Sequence, residues 1–186
     1  MRVIGGQFRG RKLLAPKGRA VRPTPDRVRE AIFDILAPRW IYTRVLDLFA
    51  GTGALGIEAL SRGAQEAVFV ERAKEALETI RANLQSLGLV SRATVLPVPM
   101  KKGLGILADR KEVFDLILMD PPYGKGLVQN TVHEITRWEI LSHDGTIVAE
   151  HAPSEAIVHP PALECRLRRN YGDTVISIYR RKPSSP

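Results

Sequence analysis

The stretch "LDLFAGTGALGIEAL", residues 46–60, decides how this chain folds. It carries Gly51-x-Gly53-x-x-Gly56, and Glu71 follows Gly51 by twenty positions. An apolar run breaks into a glycine turn and resumes as a helix-forming run. That is the strand–loop–helix unit of an open α/β sheet, with a ligand loop at the strand's carboxyl end. Glycine there lets backbone come close to a bound molecule. An acid ending the next strand, as Glu71 does, can accept both hydroxyls of a ribose. NAD and S-adenosylmethionine both need that much, so the glycine pattern by itself leaves the cofactor open.

Asp47 and Phe49 tilt the choice. A dinucleotide loop usually leaves its strand as an unbroken apolar run, because a pyrophosphate must sit on the helix N-terminus. A carboxylate four positions before the first glycine repels that anion. S-adenosylmethionine has no phosphate; it carries a sulfonium and an ammonium, which an acid favours. The structural alternative for Asp47 is to cap local backbone.

Working outward, strands are expected at 44–49, 66–71, 93–96, 113–120 and 145–151, with helices over "ALGIEALSRG" and "KEALETIRANLQSLG". The tail "ECRLRRNYGDTVISIYRR" reads as two strands about a turn near Gly172. Before Pro38, Thr24-Pro25 reads as the cap and first residue of a helix whose apolar stripe is Val28, Ile32, Ile35 and Leu36. Residues 2–15 read as a short glycine-rich hairpin. Strand–helix alternation predicts an α/β fold: a mostly parallel seven-stranded sheet with helices on both faces and an antiparallel C-terminal strand. The expected organisation is a basic N-terminal hairpin extension at 1–22, a cofactor-binding domain at 23–182 and a disordered tail at 183–186.

A second motif, "DPPY", Asp120 to Tyr123, ends the strand "DLILMDPPYG". Two prolines stiffen the loop and remove two backbone donors. What remains is mostly acceptor: the Asp120 carboxylate and the Pro121 carbonyl. Tyr123 adds a flat face. The set suits an exocyclic amine on a nucleobase, which donates to both acceptors while the ring stacks on Tyr123. Such a base must first leave its stack, at a cost of a few kcal/mol.

Composition narrows the classes. No apolar run spans a membrane, and "MRVIGGQFRGRK" lacks the apolar core of a secretory signal. One cysteine, Cys165, excludes an intramolecular disulfide and fits a cytoplasmic protein; scattered histidines suggest no metal site. Residues 1–30 hold nine Lys/Arg against two acids, a net of +7; residues 160–186 hold six against two, +4; the middle is −3. Basic ends around a slightly acidic body suggest a polyanion-binding face, and the candidate phosphate contacts are Arg9, Arg11, Lys12, Lys17, Arg19 and Arg22. The C-terminal arginines Arg166, Arg168 and Arg169 are the alternative face.

Together, "VLDLFAGTG" and "DPPY" resemble the class I S-adenosylmethionine-dependent amino-methyltransferases, which have a Rossmann-like fold. The opening "RVIGGQFRGRKL…RPTPDRVREAIFDIL" more narrowly resembles the bacterial 16S rRNA (guanine-N2)-methyltransferase family, and the likeness runs nearly the whole chain. The resemblance implies that Asp47, Phe49, Ala50, Gly51 and Gly53 cradle S-adenosylmethionine, that Glu71 and the neighbouring Arg72 hold the ribose end, and that Asp120, Pro121 and Tyr123 form the catalytic amine pocket. It also implies 16S rRNA, within a small ribosomal subunit or an assembly intermediate, as partner of a monomeric enzyme. Many class I relatives carry an acid after the third strand for the adenine amine. This chain has "LPVPMKKG" there, so adenine contacts fall to backbone near Met100. The rivals are a DNA adenine-N6 methyltransferase, which lacks a target-recognition domain here, an NAD oxidoreductase, which leaves DPPY unexplained, and a non-catalytic RNA-binding module, which leaves the acids at 47, 71 and 120 unexplained.

Overall fold

The computed structural model describes residues 1–15, 26–40 and 42–183. Strands β1 (Arg44–Leu48), β2 (Glu66–Glu71), β3 (Ala93–Pro97), β4 (Phe114–Met119), β5 (Leu141–His151), β6 (Leu163–Tyr171) and β7 (Thr174–Arg181) form one sheet, ordered β3-β2-β1-β4-β5-β7-β6. The first five are parallel, and β7 lies antiparallel between β5 and β6. The expected α/β architecture is the observed one. Strand order reverses between β1 and β4, so their carboxyl ends open a crevice where an α/β sheet takes its ligand.

The two-residue period of the strands splits the core. Val45, Phe69, Leu116 and Leu118 face one side, under helices α1 (Asp26–Leu36), α2 (Ala54–Ser61) and α3 (Lys74–Ser86). Leu46, Leu48, Ile117 and Met119 face the other, under α4 (Met100–Asp109) and α5 (Leu127–Arg137). Sequence reading assigns neither α4 nor α5. In α5 the signal is present: Val128, Val132 and Ile135 are buried at helical spacing. In α4 two glycines mask it. Gly103 is required there because a Cβ would stand 2.7 Å from Val70 Cγ1.

The N-terminal segment is the expected short hairpin: the Val3 N–H donates to Arg11 O at 3.0 Å, the Leu13 N–H to Met1 O at 3.2 Å, and the chain turns between them over residues 5–10. Its strand pairing is one antiparallel bridge, Arg2 with Lys12. Its apolar residues are not idle, because Val3 and Leu13 are buried in the core beside α1 and α2. Polar groups on α2 and α3 fasten it. The buried Glu58 carboxylate accepts from the Ile4 and Gly5 N–H groups at 2.8 and 2.7 Å and from Arg62 Nε at 2.9 Å. The Gln7 N–H donates to Ser61 O at 2.7 Å. Asn83, fully buried on α3, accepts from the Leu14 N–H at 2.7 Å and donates to both Leu14 O and Thr52 O. One amide side chain thus ties the N-terminal segment to the glycine loop. Arg29 is buried, donates to Arg2 O and pairs with Asp26 at 3.2 Å, which makes it a structural residue.

Candidate active site

The glycine loop turns on left-handed backbone. Phe49, Gly51 and Gly53 have φ of 60°, 54° and 75°. At Phe49 that is an outlier for a bulky residue, of the sort that collects at ligand loops. Gly56 serves packing instead: a Cβ would meet Phe69 Cε1 at 2.4 Å and Asp47 Oδ2 at 3.1 Å. It lets α2 lie against β2. The Ala50 N–H donates to Val70 O at 3.1 Å, which closes the loop onto the neighbouring strand.

Asp47 sits beneath the loop rather than at its surface. Its side chain is buried, and Oδ2 accepts the Gly56 N–H at 2.8 Å, within the first turn of α2. The helix-capping role is therefore real. Burial pushes its carboxyl well above the usual range, the Gly56 bond opposes this, and the charges of Asp120 and Glu71 push it further up. Those couplings bring together the three acids singled out from sequence. Glu71 ends β2, and Oε2 accepts the Gly51 N–H at 2.9 Å while Oε1 accepts the N–H groups of Arg72 and Ala73 at 2.7 and 2.8 Å.

Two backbone N–H groups of the glycine loop and first helical turn, Gly51 and Gly56, already serve carboxylates. The crevice holds carboxyl groups at its floor and rim, acceptors suited to a cationic or hydroxyl-bearing ligand rather than to an anion. Met100 is the first residue of α4, after Pro99.

A consequence concerns pH. A carboxyl whose pKa is raised in the folded state keeps its proton while the unfolded chain ionises, so stability falls as pH rises from the unfolded pKa through the folded one. Asp47→Asn keeps an acceptor for Gly56 and cannot ionise. The ligand-free variant is expected to melt no lower than the parent at neutral pH and to lose that fall in stability. A bound cation stabilises ionised Asp47, so the variant is also expected to bind S-adenosylmethionine more weakly. Thermal melts at acid and neutral pH, with and without cofactor, check both.

At the end of β4, Asp120 is half-buried, Pro121 is buried and the Tyr123 ring is 40% exposed. The Tyr123 hydroxyl lies 3.0 Å from Glu150 Oε1 on β5 and 2.8 Å from Thr174 Oγ1 on β7. Burial pushes its pKa up to about 12, with Thr174 opposing and the carboxylates of Glu150 and Asp120 adding. The phenol is thus a protonated anchor that fixes a partly exposed ring. The Gly124 N–H donates to Glu155 Oε1 at 2.6 Å, which ties the loop to the turn after β5. Glu150, Glu155 and Thr174 escaped sequence reading, for they are far from DPPY along the chain and belong to no motif.

Of the expected phosphate contacts, Arg9, Arg11 and Lys12 are exposed, and Arg11 Nη2 donates to Ser86 O at 3.0 Å. Lys17, Arg19 and Arg22 lie outside the described residues, as do Thr24 and Pro25. Arg72 is exposed beside Glu71.

Comparison with known proteins agrees with this fold. The family described as "Conserved hypothetical protein 95" matches residues 1–180. Ribosomal RNA small subunit methyltransferase D of Escherichia coli is 36% identical over 183 residues, 98% of this chain and 90% of that one. A hypothetical protein of Thermus thermophilus superposes with a TM-score of 0.83 at 34% identity, covering 97% of this chain and 99% of its own. A ribosomal protein L11 methylase from Lactobacillus delbrueckii shares the fold alone, at 18% identity and a TM-score of 0.66 over 82% and 77% of the two chains.

Proposed function

Because the chain belongs to the conserved hypothetical protein 95 family, with ribosomal RNA small subunit methyltransferase D among its relatives, we propose that it transfers a methyl group from S-adenosylmethionine to the N2 amine of a guanine in 16S rRNA. The observation that carries the reading is the acceptor-rich loop Asp120–Tyr123 beside the glycine loop, with its aromatic ring locked from two strands. Bound S-adenosylmethionine supplies an activated methyl carbon. The chain's own groups orient and desolvate. Asp120 and the Pro121 carbonyl accept the two amine hydrogens, which turns the nitrogen lone pair outward. Tyr123 stacks the base drawn from its helix. Gly51 and Gly53 let the cofactor lie close to backbone, and Glu71 takes the ribose hydroxyls. The enzyme acts in the cytoplasm, as a monomer, on the small subunit or an assembly intermediate.

The test is transfer of labelled methyl from S-adenosylmethionine to 30S subunits or 16S rRNA from a strain lacking the gene, followed by mass spectrometry of nucleosides. N2-methylguanosine is the expected product. N6-methyladenosine, or transfer only to DNA, would overturn the assignment.

Glu71→Ala is expected to weaken S-adenosylmethionine binding by on the order of tenfold or more, since the ribose donors lose their acceptor and the Gly51 N–H loses its anchor. At saturating cofactor the rate should largely recover. Calorimetric titration decides it, and unchanged affinity would place the ribose elsewhere.

A further inference from the structure

The C-terminal arginines lie on the same edge of the sheet as the crevice. β6 runs antiparallel to β7, and β7 antiparallel to β5, so the carboxyl end of β6 points the same way as those of β1, β4 and β5. Arg169 pairs with Ile176 of β7, and Ile176 pairs in turn with Glu150, the residue that anchors Tyr123. Two strand spacings, about 10 Å, therefore separate the Arg169 backbone from the strand that holds the target ring. Arg168, Arg169 and Asn170 line an open groove of about 560 Å3 whose remaining described wall is Pro153. The Arg168 guanidinium donates to Pro153 O at 3.3 Å. Pro153 belongs to the same turn as Glu155, which fastens Gly124 of the target loop. Groove and target loop are thus braced by one turn.

The three arginines of this strand are not equivalent. Arg166 is committed to Glu164 at 2.5 Å. Among the described residues Arg168 and Arg169 have no carboxylate partner within salt-bridge distance, and both are exposed. Two guanidiniums free of carboxylates, Arg168 spending one N–H on Pro153 O, stand with the Asn170 amide along a groove that carries no acid, a donor-rich set that matches phosphate oxygens. A base pulled from its stack leaves its flanking backbone to be held somewhere.

We infer that Arg168, Arg169 and Asn170 form a phosphate-binding groove that grips the RNA strand beside the base taken at Asp120–Tyr123. The inference rests on the proposed rRNA substrate and adds to it a second contact surface, separate from the N-terminal segment. The N-terminal segment lies on α2 and α3, whereas this groove lies across the crevice on the β6 side. The strand is held on both flanks of the site.

The test compares four proteins: the parent, Arg168→Ala/Arg169→Ala, Arg168→Gln/Arg169→Gln and Arg166→Ala. The glutamine pair keeps hydrogen-bonding side chains and guards against a packing artefact. Affinity for 16S rRNA is measured across a series of salt concentrations, with cofactor affinity and methyl transfer measured in parallel. Both double variants are expected to flatten the log–log salt slope by about 1.4, at about 0.7 per lost single-strand contact. Arg166→Ala should leave the slope unchanged, and cofactor affinity should not move in any variant. If the parent methylates rRNA and the double variants keep its slope, the groove assignment is wrong and the arginines only guard an exposed edge strand against pairing. If the parent neither binds nor methylates rRNA, the functional proposal falls and takes the groove with it.

Discussion

Asp120→Ala is expected to remove nearly all methyl transfer while S-adenosylmethionine affinity stays within a few-fold. Asp120 follows β4, at the face of the crevice where the target loop leaves the sheet, whereas Glu71 closes the cofactor side from β2. An acceptor aimed at an amine that becomes cationic acts mainly in the transition state. Losing one such preorganised group costs on the order of 100-fold or more in rate. Asp120→Asn keeps an acceptor oxygen but not the charge, and should fall between the alanine variant and the parent. Removing the Asp120 charge also relieves Asp47 and Tyr123, both of which it pushes up, so the Tyr123 phenol should titrate at lower pH in the variant. Single-turnover transfer, calorimetry and an ultraviolet phenol titration give the three readouts. Near-normal turnover from the alanine variant would remove Asp120 from the amine pocket.

The largest effect on stability is expected at Gly6. Its φ is +73°, and a Cβ there would stand 1.9 Å from Ser61 O and 2.8 Å from Arg62 N. Those atoms are helix backbone, which cannot step aside as a side-chain tip can. Left-handed strain alone costs roughly 1–3 kcal/mol, and the clash adds to it. Gly6→Ala is therefore expected to cost about 3 kcal/mol or more, or to free the N-terminal segment from α2 and strand the Glu58 carboxylate without its Ile4 and Gly5 donors. Gly10→Ala is the control. It shares a positive φ of 82° but has nothing within 4 Å of the added carbon, so it pays only for backbone strain. Denaturant melts compare the pair, and limited proteolysis near residues 5–12 separates global loss from local release. Equal effects at the two positions would mean that the N-terminal segment does not seat on α2 as described.

The sequence made the strand–helix alternation, the glycine loop and the two terminal strands legible because each carries a local signature: apolar period, turn glycine, strand-end acid. Asp47 was legible as a residue but ambiguous in role, and the structure assigns it the cap on Gly56 from a buried position beneath the loop. What was hidden is what only tertiary contact creates. Nothing in "GGQF" says that two glycines are pressed against a helix end, or that Glu58 and Asn83, each inside an ordinary helical run, hold the N-terminal segment. Glu150 and Thr174 become site residues only when β7 enters the sheet next to β5. In α4 the glycines that hid the helix are, at Gly103, the condition for its packing on Val70.

The placement of β7 also bears on the order in which the chain becomes competent. Synthesis runs from the N-terminus, and at roughly 5–20 residues per second the early elements have time to associate while later ones are still being made. β1 to β5 can pair in that window, and so can the glycine loop with Glu71. β7 is translated after all the other strands, yet it occupies an interior position, and β6 has no place in the sheet until β7 arrives. Thr174, at its start, completes the lock on Tyr123. The nascent polypeptide can thus assemble its cofactor loop before it can assemble its target pocket. On the proposed function, the pocket for the base is the last part of the site to form, because the Tyr123 ring is locked only when β7 joins the sheet.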